Sequence, residues 1–203
     1  FYGEKKNKCI KDLNFSVYLD GFKLGEEDIE VLGDIILNIT TADLKLGLIL
    51  YNALLKLKEY TYKNIYTLEK VKFIKIKEKK VKDRFNVFKT LSPIYAKDIN
   101  NKDLDIYDED FKLSLNYISD IYLKKFRGTG LKEEIKFIPI KMKMHICKEE
   151  LKDFTEKTGR KYICLKCYSG LFSLEGNAED INILLQSGIL YRRSFGFGMI
   201  ELI

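Results

Sequence analysis

The order of hydrophobic patterns in the second half of the chain constrains its fold more than any other feature. In sequence, the patterns predict a strand at 86–95, a helix at 108–126, strands at 135–147 and 160–174, a short helix opened by Asn177 and a strand at 197–203. The long helix places one apolar face inward, formed by Phe111, Leu115, Ile118, Tyr122 and Leu123. This βαββαβ order is that of a ferredoxin-like domain.

The first half repeats part of the same order. Residues 14–19 alternate like a strand and end at the turn residues Asp20 and Gly21, and residues 34–39 are predicted to be the partner strand. A helix at 42–58, capped by Thr40 or Thr41, is predicted to bury Leu44, Leu48, Tyr51, Leu54 and Leu55. Residues 68–77 alternate lysine with apolar residues and predict a strand with a basic outer face, and the charged residues 77–84 predict a linker.

We therefore expect an α+β protein of two tandem ferredoxin-like (RRM-like) domains, residues 1–84 and residues 85–203. The first domain lacks the opening strand and helix of a complete unit. The balance of 46% hydrophobic and 33% charged residues indicates a globular protein and excludes disorder.

Charge and cysteine usage narrow the classes of function. The formal net charge of +6 and a pI near 8.9 favour polyanionic partners such as nucleic acid. No apolar run approaches the roughly 20 residues that cross a membrane, so we predict a cytoplasmic protein. Cys164 and Cys167 have the spacing of half a zinc site, but no second Cys/His pair lies nearby. We predict buried strand cysteines, no metal and no cofactor.

The last seventeen residues carry the clearest functional signal. Arg192 and Arg193 lie in a loop bounded by Gly188 and by Gly196 and Gly198, between a helix pattern and the closing strand. Glycine lets a backbone approach a ligand closely, and arginine provides a planar fork suited to phosphate. The spacing alone is equally compatible with an ordinary helix-to-strand connection whose arginines are solvated.

A second signal is Leu91-Ser-Pro-Ile94, in which a proline interrupts a strand pattern. Proline is tolerated only at a strand end, an edge or a bulge. The hydroxyls of Thr90 and Ser92 could donate to a phosphate there. The alternative, a plain edge strand, is favoured on spacing alone.

Three stretches together resemble the CRISPR repeat-processing endoribonucleases of the Cas6 family. They are Phe88-Lys-Thr-Leu-Ser-Pro-Ile94, Gly188-Ile-Leu-Tyr-Arg-Arg-Ser-Phe-Gly-Phe-Gly198 and Asn14-Phe-Ser-Val-Tyr18. The resemblance covers essentially the whole chain, and its glycine-rich motif is the most specific part. In addition, Ile138-Pro-Ile-Lys-Met-Lys143 resembles a strand of the subgroup found with type I-B systems.

The resemblance implies a metal-independent endoribonuclease that binds the repeat of a CRISPR precursor transcript and cuts it to release guide RNAs. In that reaction the 2′-hydroxyl attacks the scissile phosphate and leaves a 2′,3′-cyclic phosphate and a 5′-hydroxyl. The alternative is a catalytically inactive RNA-binding subunit of a CRISPR effector complex. A different RRM-like module is disfavoured, because no strand carries the aromatic motif of those modules. Association with other effector subunits and a homodimer both remain open.

The resemblance places Lys11 where some family members have a catalytic lysine. The chain's only histidine, His145, is not where the family's catalytic histidine usually lies, and a lone strand histidine is more often structural. We expect that histidine to lie upstream of Phe1 in a longer parent protein. Leu190 replaces a further glycine of the family's loop and is predicted to stiffen it. The RNA-binding candidates are Lys141 and Lys143, on one face of a strand, together with Gly188, Arg192, Arg193, Ser194, Phe195, Gly196 and Gly198.

Overall fold

The computed structural model describes residues 12–25, 28–150, 155–156 and 159–203. The first half contains β1 (Asn14–Leu19), β2 (Phe22–Leu24), β3 (Ile29–Val31), β4 (Ile35–Thr40), α1 (Leu44–Lys56), β5 (Glu59–Tyr62) and β6 (Tyr66–Glu69). The second half contains β7 (Phe85–Thr90), β8 (Ile94–Tyr95), α2 (Glu109–Arg127), β9 (Lys136–Glu149), β10 (Ile163–Glu175), α3 (Ala178–Ser187), a 3-10 turn (Arg193–Phe195) and β11 (Ile200–Leu202).

The second half forms one antiparallel sheet with the strand order β11-β7-β10-β9, and the short β8 pairs with β10. Helices α2 and α3 pack against it around one hydrophobic cluster that includes Phe88, Phe111 and Phe172. The predicted α+β class and the βαββαβ order of this half are confirmed. The boundary between domains at residues 84 and 85 stays a prediction.

The two helices of the second half begin and end as their sequences predict. The Asn177 side chain accepts hydrogen bonds from the amides of Glu179 and Asp180 and caps α3. Helix α2 ends at Gly128, whose left-handed backbone (φ +84°) suits glycine. Of the predicted inward face of α2, Phe111, Leu115, Tyr122 and Leu123 are buried, whereas Ile118 is half-buried.

In the first half, β1 pairs antiparallel with β4, as predicted. Two further hairpins were not predicted: β2 with β3, and β5 with β6. The second hairpin turns through Lys63 and Asn64, both with positive φ (46° and 58°). They are the central residues of a β-turn that the Ile65 amide closes by donating to the Tyr62 carbonyl at 2.8 Å, and a turn of this hand matches the twist of a hairpin.

The predicted strand at 68–77 is wrong. Strand β6 ends at Glu69, and residues 70–82 belong to no strand or helix. Alternation of lysine with apolar residues is not sufficient to form a strand, because an extended backbone also needs a hydrogen-bonding partner.

The predicted buried face of α1 is also wrong. Asp43, not Thr40 or Thr41, caps this helix; Thr41 instead accepts a hydrogen bond from the Asp43 amide. None of the α1 side chains is buried, and Leu44 is 90% exposed. Leu54 is half-buried and Tyr51 packs against Phe73, but Leu48 and Leu55 are exposed like Leu44.

The described cysteines differ in burial. Cys167 is buried and Cys147 is half-buried, but Cys164 is exposed, because β10 turns that side chain outward. The prediction of buried strand cysteines is therefore wrong for Cys164.

Among the described residues, no helix combines the length and the apolar character needed to cross a membrane.

Candidate functional site

The end of the glycine-rich loop is held against the Leu91-Ser-Pro-Ile94 segment. The amides of Leu91 and Ser92 donate to the carbonyl oxygen of Met199 at 2.8 and 3.2 Å. The Met199 amide donates to the Ser92 hydroxyl at 2.9 Å, and the Gly198 amide donates to the Pro93 carbonyl at 2.8 Å. The two sequence motifs therefore form one structural unit, in which the loop packs against the segment where Pro93 interrupts the strand.

In this arrangement the hydroxyls of Thr90 and Ser92 have partners within the protein, and their donation to a phosphate stays a prediction. The buried Ser92 hydroxyl accepts from Met199, and the Thr90 hydroxyl accepts from the Gly170 amide at 3.0 Å. Both hydroxyls fix the backbone of the sheet and the loop. The segment lies at the end of β7, consistent with the strand end that proline indicates.

The loop glycines are required by packing within the protein. A Cβ atom on Gly198 would lie 2.1 Å from the Ile189 carbonyl oxygen, and one on Gly188 would lie 1.9 Å from the Asn14 side-chain nitrogen. Both residues also have positive φ, +76° and +80°. Leu190, where the family has a further glycine, also has a positive φ (+63°) and is buried. Its side chain anchors the loop.

Arg193 belongs to a cluster with Tyr122 of α2 and Asp12, which we call the Arg193 cluster. The Arg193 guanidinium lies 4.1 Å from the centre of the Tyr122 ring, a cation–π contact. The Tyr122 hydroxyl donates to the Asp12 carboxylate. Burial, followed by the hydrogen bond to Asp12, raises the pKa of Tyr122, and burial lowers the pKa of Arg193. Tyr122 therefore stays protonated at neutral pH and continues to donate.

Arg192 forms an ion pair with Glu149 at the end of β9. Its guanidinium also lies 5.8 Å from the centre of the Tyr95 ring and 6.0 Å from that of Phe195. Like Leu190, Arg192 has a positive φ (60°). Its charge is thus held at the rim of the loop by a carboxylate that a phosphate could replace.

The loop amides offer less than the sequence predicts. The Phe195 amide donates to the Arg192 carbonyl at 2.8 Å, and the Gly196 amide donates to the Arg193 carbonyl at 3.4 Å. Of the three amides from Ser194 to Gly196, only that of Ser194 donates to no described residue. The Phe195 side chain is 58% exposed, so it remains available to a ligand.

Lys141 and Lys143 lie on one face of β9, as predicted. They pair with Leu171 and Ser169 of β10, and the same face continues through His145 to Glu149. Since Glu149 contacts Arg192, this face of the strand points toward the glycine-rich loop. Both lysines are exposed, and neither forms an ion pair with a described residue.

A cleft of about 510 Å³ opens beside the Arg193 cluster. It lies between the start of α1 and the last turns of α2, and so between the two halves of the chain. Its lining residues are Asp12, Ala42, Asp43, Leu44, Lys45, Tyr122, Lys125 and Phe126. Lys45 and Lys125 add two exposed ammonium groups to this opening.

Lys11 lies outside the described residues, as does Cys9. Asp12, which follows Lys11 in the chain, is described: it lines the cleft, and its backbone oxygen accepts a hydrogen bond from Thr41. His145 is half-buried on the lysine-bearing face of β9.

Sequence reasoning missed Glu149 and Asn14. Asn14 is fully buried against Gly188, and neither of its side-chain polar atoms has a hydrogen-bond partner among the described residues. Asn14 belongs to a stretch that carries the family resemblance, but neither contact could be predicted from the sequence, because each joins distant parts of the chain.

A protein-family model matches more than half of this chain. The family described as "CRISPR associated protein Cas6, C-terminal" matches residues 75–202. The match spans the whole second half of the chain and the segment before it. The chain therefore belongs to the CRISPR-associated Cas6 family. No curated protein matches it significantly.

Solved structures show the same tandem ferredoxin-like fold. The structure described as "Characterization of a Cas6-related gene from Pyrococcus furiosus" has a TM-score of 0.76 at 22% identity, covering 95% of this chain and 78% of that one. The structure described as "An RAMP protein binding different RNA substrates" has a TM-score of 0.72 at 24% identity, covering 95% and 79%. A third, "CRISPR associated protein Cas6", has a TM-score of 0.70 at 20% identity, covering 96% and 79%.

The first prediction concerns the docking of the loop. Gly198→Ala adds a Cβ atom 2.1 Å from a carbonyl oxygen to a backbone with φ +76°. We expect it to lower the free energy of unfolding by about 3 kcal/mol or more, measured by urea denaturation. Gly128→Ala is the matched control, since it has φ +84° and open space around its Cβ position. That variant should lose about 1 kcal/mol. Equal losses would show that the loop yields to the added atom.

The second prediction concerns the Arg193 cluster. Tyr122→Phe retains the ring beneath Arg193 but removes the hydrogen bond to Asp12, so we expect a loss of about 1–2 kcal/mol in urea denaturation. Tyr122→Leu also removes the cation–π contact and should lose about 0.5–2 kcal/mol more. Tyr107→Phe, at an exposed tyrosine, is the control for removing a hydroxyl. The proposed hydrogen bond is excluded if Tyr122→Phe and Tyr107→Phe unfold alike.

Proposed function

We propose that this protein binds the repeat of a CRISPR precursor transcript and cuts it once per repeat without a metal ion. Membership of the Cas6 family supports this proposal. The likeness to a structure described as an RAMP protein that binds different RNA substrates is consistent with RNA as the ligand. The subgroup found with type I-B systems stays a prediction.

One observation carries the proposal. Asp12 lies directly after Lys11, the residue that the resemblance marks as catalytic, and Arg193 lies in the loop that the resemblance marks as RNA-binding. Both contact the same side chain, Tyr122. The two segments are about 180 residues apart in sequence, yet they meet at the wall of one cleft between the two halves of the chain.

The chemistry requires three actions at the scissile phosphate. A base takes the proton of the 2′-hydroxyl, an acid protonates the leaving 5′ oxygen, and a cation stabilises the charge of the phosphorane. In this proposal Lys11 supplies that cation. Asp12 and Tyr122 act as positioning residues, because their hydrogen bond fixes the chain immediately after Lys11. The base and the acid are not assigned to residues of this chain.

The RNA itself would lie along the lysine-bearing face of β9 and reach the loop. Lys141 and Lys143 contribute unpaired positive charge to this face. Arg192 would exchange its carboxylate partner, Glu149, for a phosphate. Phe195 is exposed next to it and could stack on an unpaired base.

Cleavage of a synthetic repeat RNA tests the reaction. We expect one cut per repeat in the presence of EDTA, with a 2′,3′-cyclic phosphate on the upstream product. A 2′-deoxy nucleotide at the cut site should abolish cleavage without weakening binding. The mechanism is excluded if cleavage needs a divalent metal or survives the deoxy substitution. Binding without any cleavage would identify an inactive binding subunit.

A separate set of variants tests the role of the loop arginines. Arg192→Ala and Arg193→Ala together should weaken repeat binding and flatten its salt dependence. Arg193→Ala alone should also destabilise the fold, because it removes the contact between the guanidinium and the Tyr122 ring. Arg192→Ala should affect mainly binding.

The substitution Glu149→Gln should strengthen repeat binding, the opposite of the arginine variants. It frees Arg192, and we expect repeat affinity to rise about two- to fivefold at low salt, the scale of a partly exposed ion pair. Glu175→Gln is the matched control, because this residue lies at the far end of β10 and pairs with Arg84 and Lys136. An equal gain in both variants would show an effect of net charge alone, and unchanged affinity in the arginine variants would exclude the loop from the RNA site.

A further inference from the structure

The net positive charge of this protein comes from one short segment. Residues 70–82 contain seven lysines and one glutamate, a formal charge of +6. The whole chain has 36 basic and 30 acidic residues, which is also +6. Removing the segment from both totals leaves 29 residues of each sign, so the remainder of the chain is neutral. We call residues 70–82 the lysine strap.

Most of the strap's lysines are exposed and form no ion pair with a described residue. Lys72, Lys75, Lys77 and Lys80 are exposed, and none forms an ion pair with a described residue. The one glutamate, Glu78, accepts a hydrogen bond from Gln186. Some lysines elsewhere are neutralised locally, as in the pairs of Lys124 with Asp120 and of Lys166 with Asp105. Repulsion among unpaired neighbouring lysines is unfavourable unless a polyanion is bound.

The strap is nevertheless fixed at both ends. At its start, the Lys70 ammonium donates to the carbonyls of Leu54 and Leu55 at 2.9 and 2.8 Å and caps the end of α1. At its end, the buried Val81 exchanges two hydrogen bonds with Asn182 of α3, at 2.8 and 2.9 Å. Residues 71–80 between these anchors belong to no helix or strand. A tethered chain presents its charges at a fixed place on the surface.

The strap also lies close to the glycine-rich loop. The Lys79 ammonium donates to the Leu202 carbonyl at 2.8 Å and pairs with Glu201. Leu202 is four residues beyond Gly198, so the two are at most about 14 Å apart along the chain. RNA bound at the loop can therefore reach the strap within a few nucleotides.

We propose that the lysine strap is a second, sequence-independent contact for the precursor RNA, outside the cleavage cleft. The inference rests on the proposed function, since a precursor transcript continues beyond the repeat that is cut. Lysine ammonium groups bind phosphate as point charges and read no base. The strap's one aromatic residue, Phe73, packs on Tyr51 with ring centres 5.3 Å apart and does not offer an open stacking surface. The strap is thus suited to the RNA backbone.

The test compares two variants of equal charge. Lys72, Lys75 and Lys77 are replaced together by Gln, and the control replaces Lys56, Lys102 and Lys148, which are exposed and unpaired elsewhere. Each protein is titrated with the repeat RNA alone and with the repeat extended by a single-stranded oligouridine flank. We expect the strap variant to lose about tenfold or more in affinity for the extended RNA at low salt. Its slope of log affinity against log salt should fall by about 2, at about 0.7 for each contact with a single strand.

The short repeat RNA and the rate of cleavage in the bound complex should be unchanged in the strap variant. The proposal is overturned if the strap and control variants behave alike on the extended RNA, or if the strap variant loses affinity equally for both RNAs. Unchanged RNA affinity with lost binding of polyglutamate would assign the strap to an acidic protein. If the unaltered protein does not prefer the repeat over unrelated RNA, the proposed function fails. A strap-dependent loss on the extended RNA would still support the strap itself in that case.

Discussion

Four hydrogen bonds between residues 91–93 and residues 198–199 fix the position of the glycine-rich loop, and the other candidate binding groups depend on that position. Strand β7 ends at Thr90 and cannot continue through Pro93, because proline has no amide to donate to a ladder. Gly198 must have no side chain for Ile189 to approach it. A change at either motif would displace Arg192 from Glu149 and Arg193 from Tyr122 together, although neither arginine touches residues 91–93.

The two loop arginines have different tasks despite being adjacent. Arg193 is directed into the protein, where the Tyr122 ring replaces water around its charge. Arg192 is directed to the rim, where it forms an ion pair with Glu149. The left-handed backbone of Arg192 separates the two directions. Such a conformation costs about 1–2 kcal/mol in a residue with a side chain, and the burial of Leu190 beside it offsets that cost.

Much of the second half could be predicted from sequence, because its strands and helices each bury one face against a shared core. The cap at Asn177 and the end of α2 at Gly128 follow from local chemistry alone. The first half was predicted less well. The pattern at 70–77 alternates without a partner strand. The turn at Lys63 and Asn64 lies between the predicted helix at 42–58 and the predicted strand at 68–77, where the sequence predicted no element. The Arg193 cluster joins three distant segments, so no periodicity could reveal it.

The distribution of buried side chains divides the molecule into parts of unequal stability. Among the described residues before Val81, the one buried hydrophobic side chain is that of Ala42, and the remainder of the core lies in the second half. Local opening is favoured where few apolar groups are buried. Amides of β1, β4 and α1 should therefore exchange with solvent long before those of β7 and β10. The cleft would then have one firm wall, formed by α2 and the docked loop, and one wall that opens and closes without unfolding the rest of the molecule.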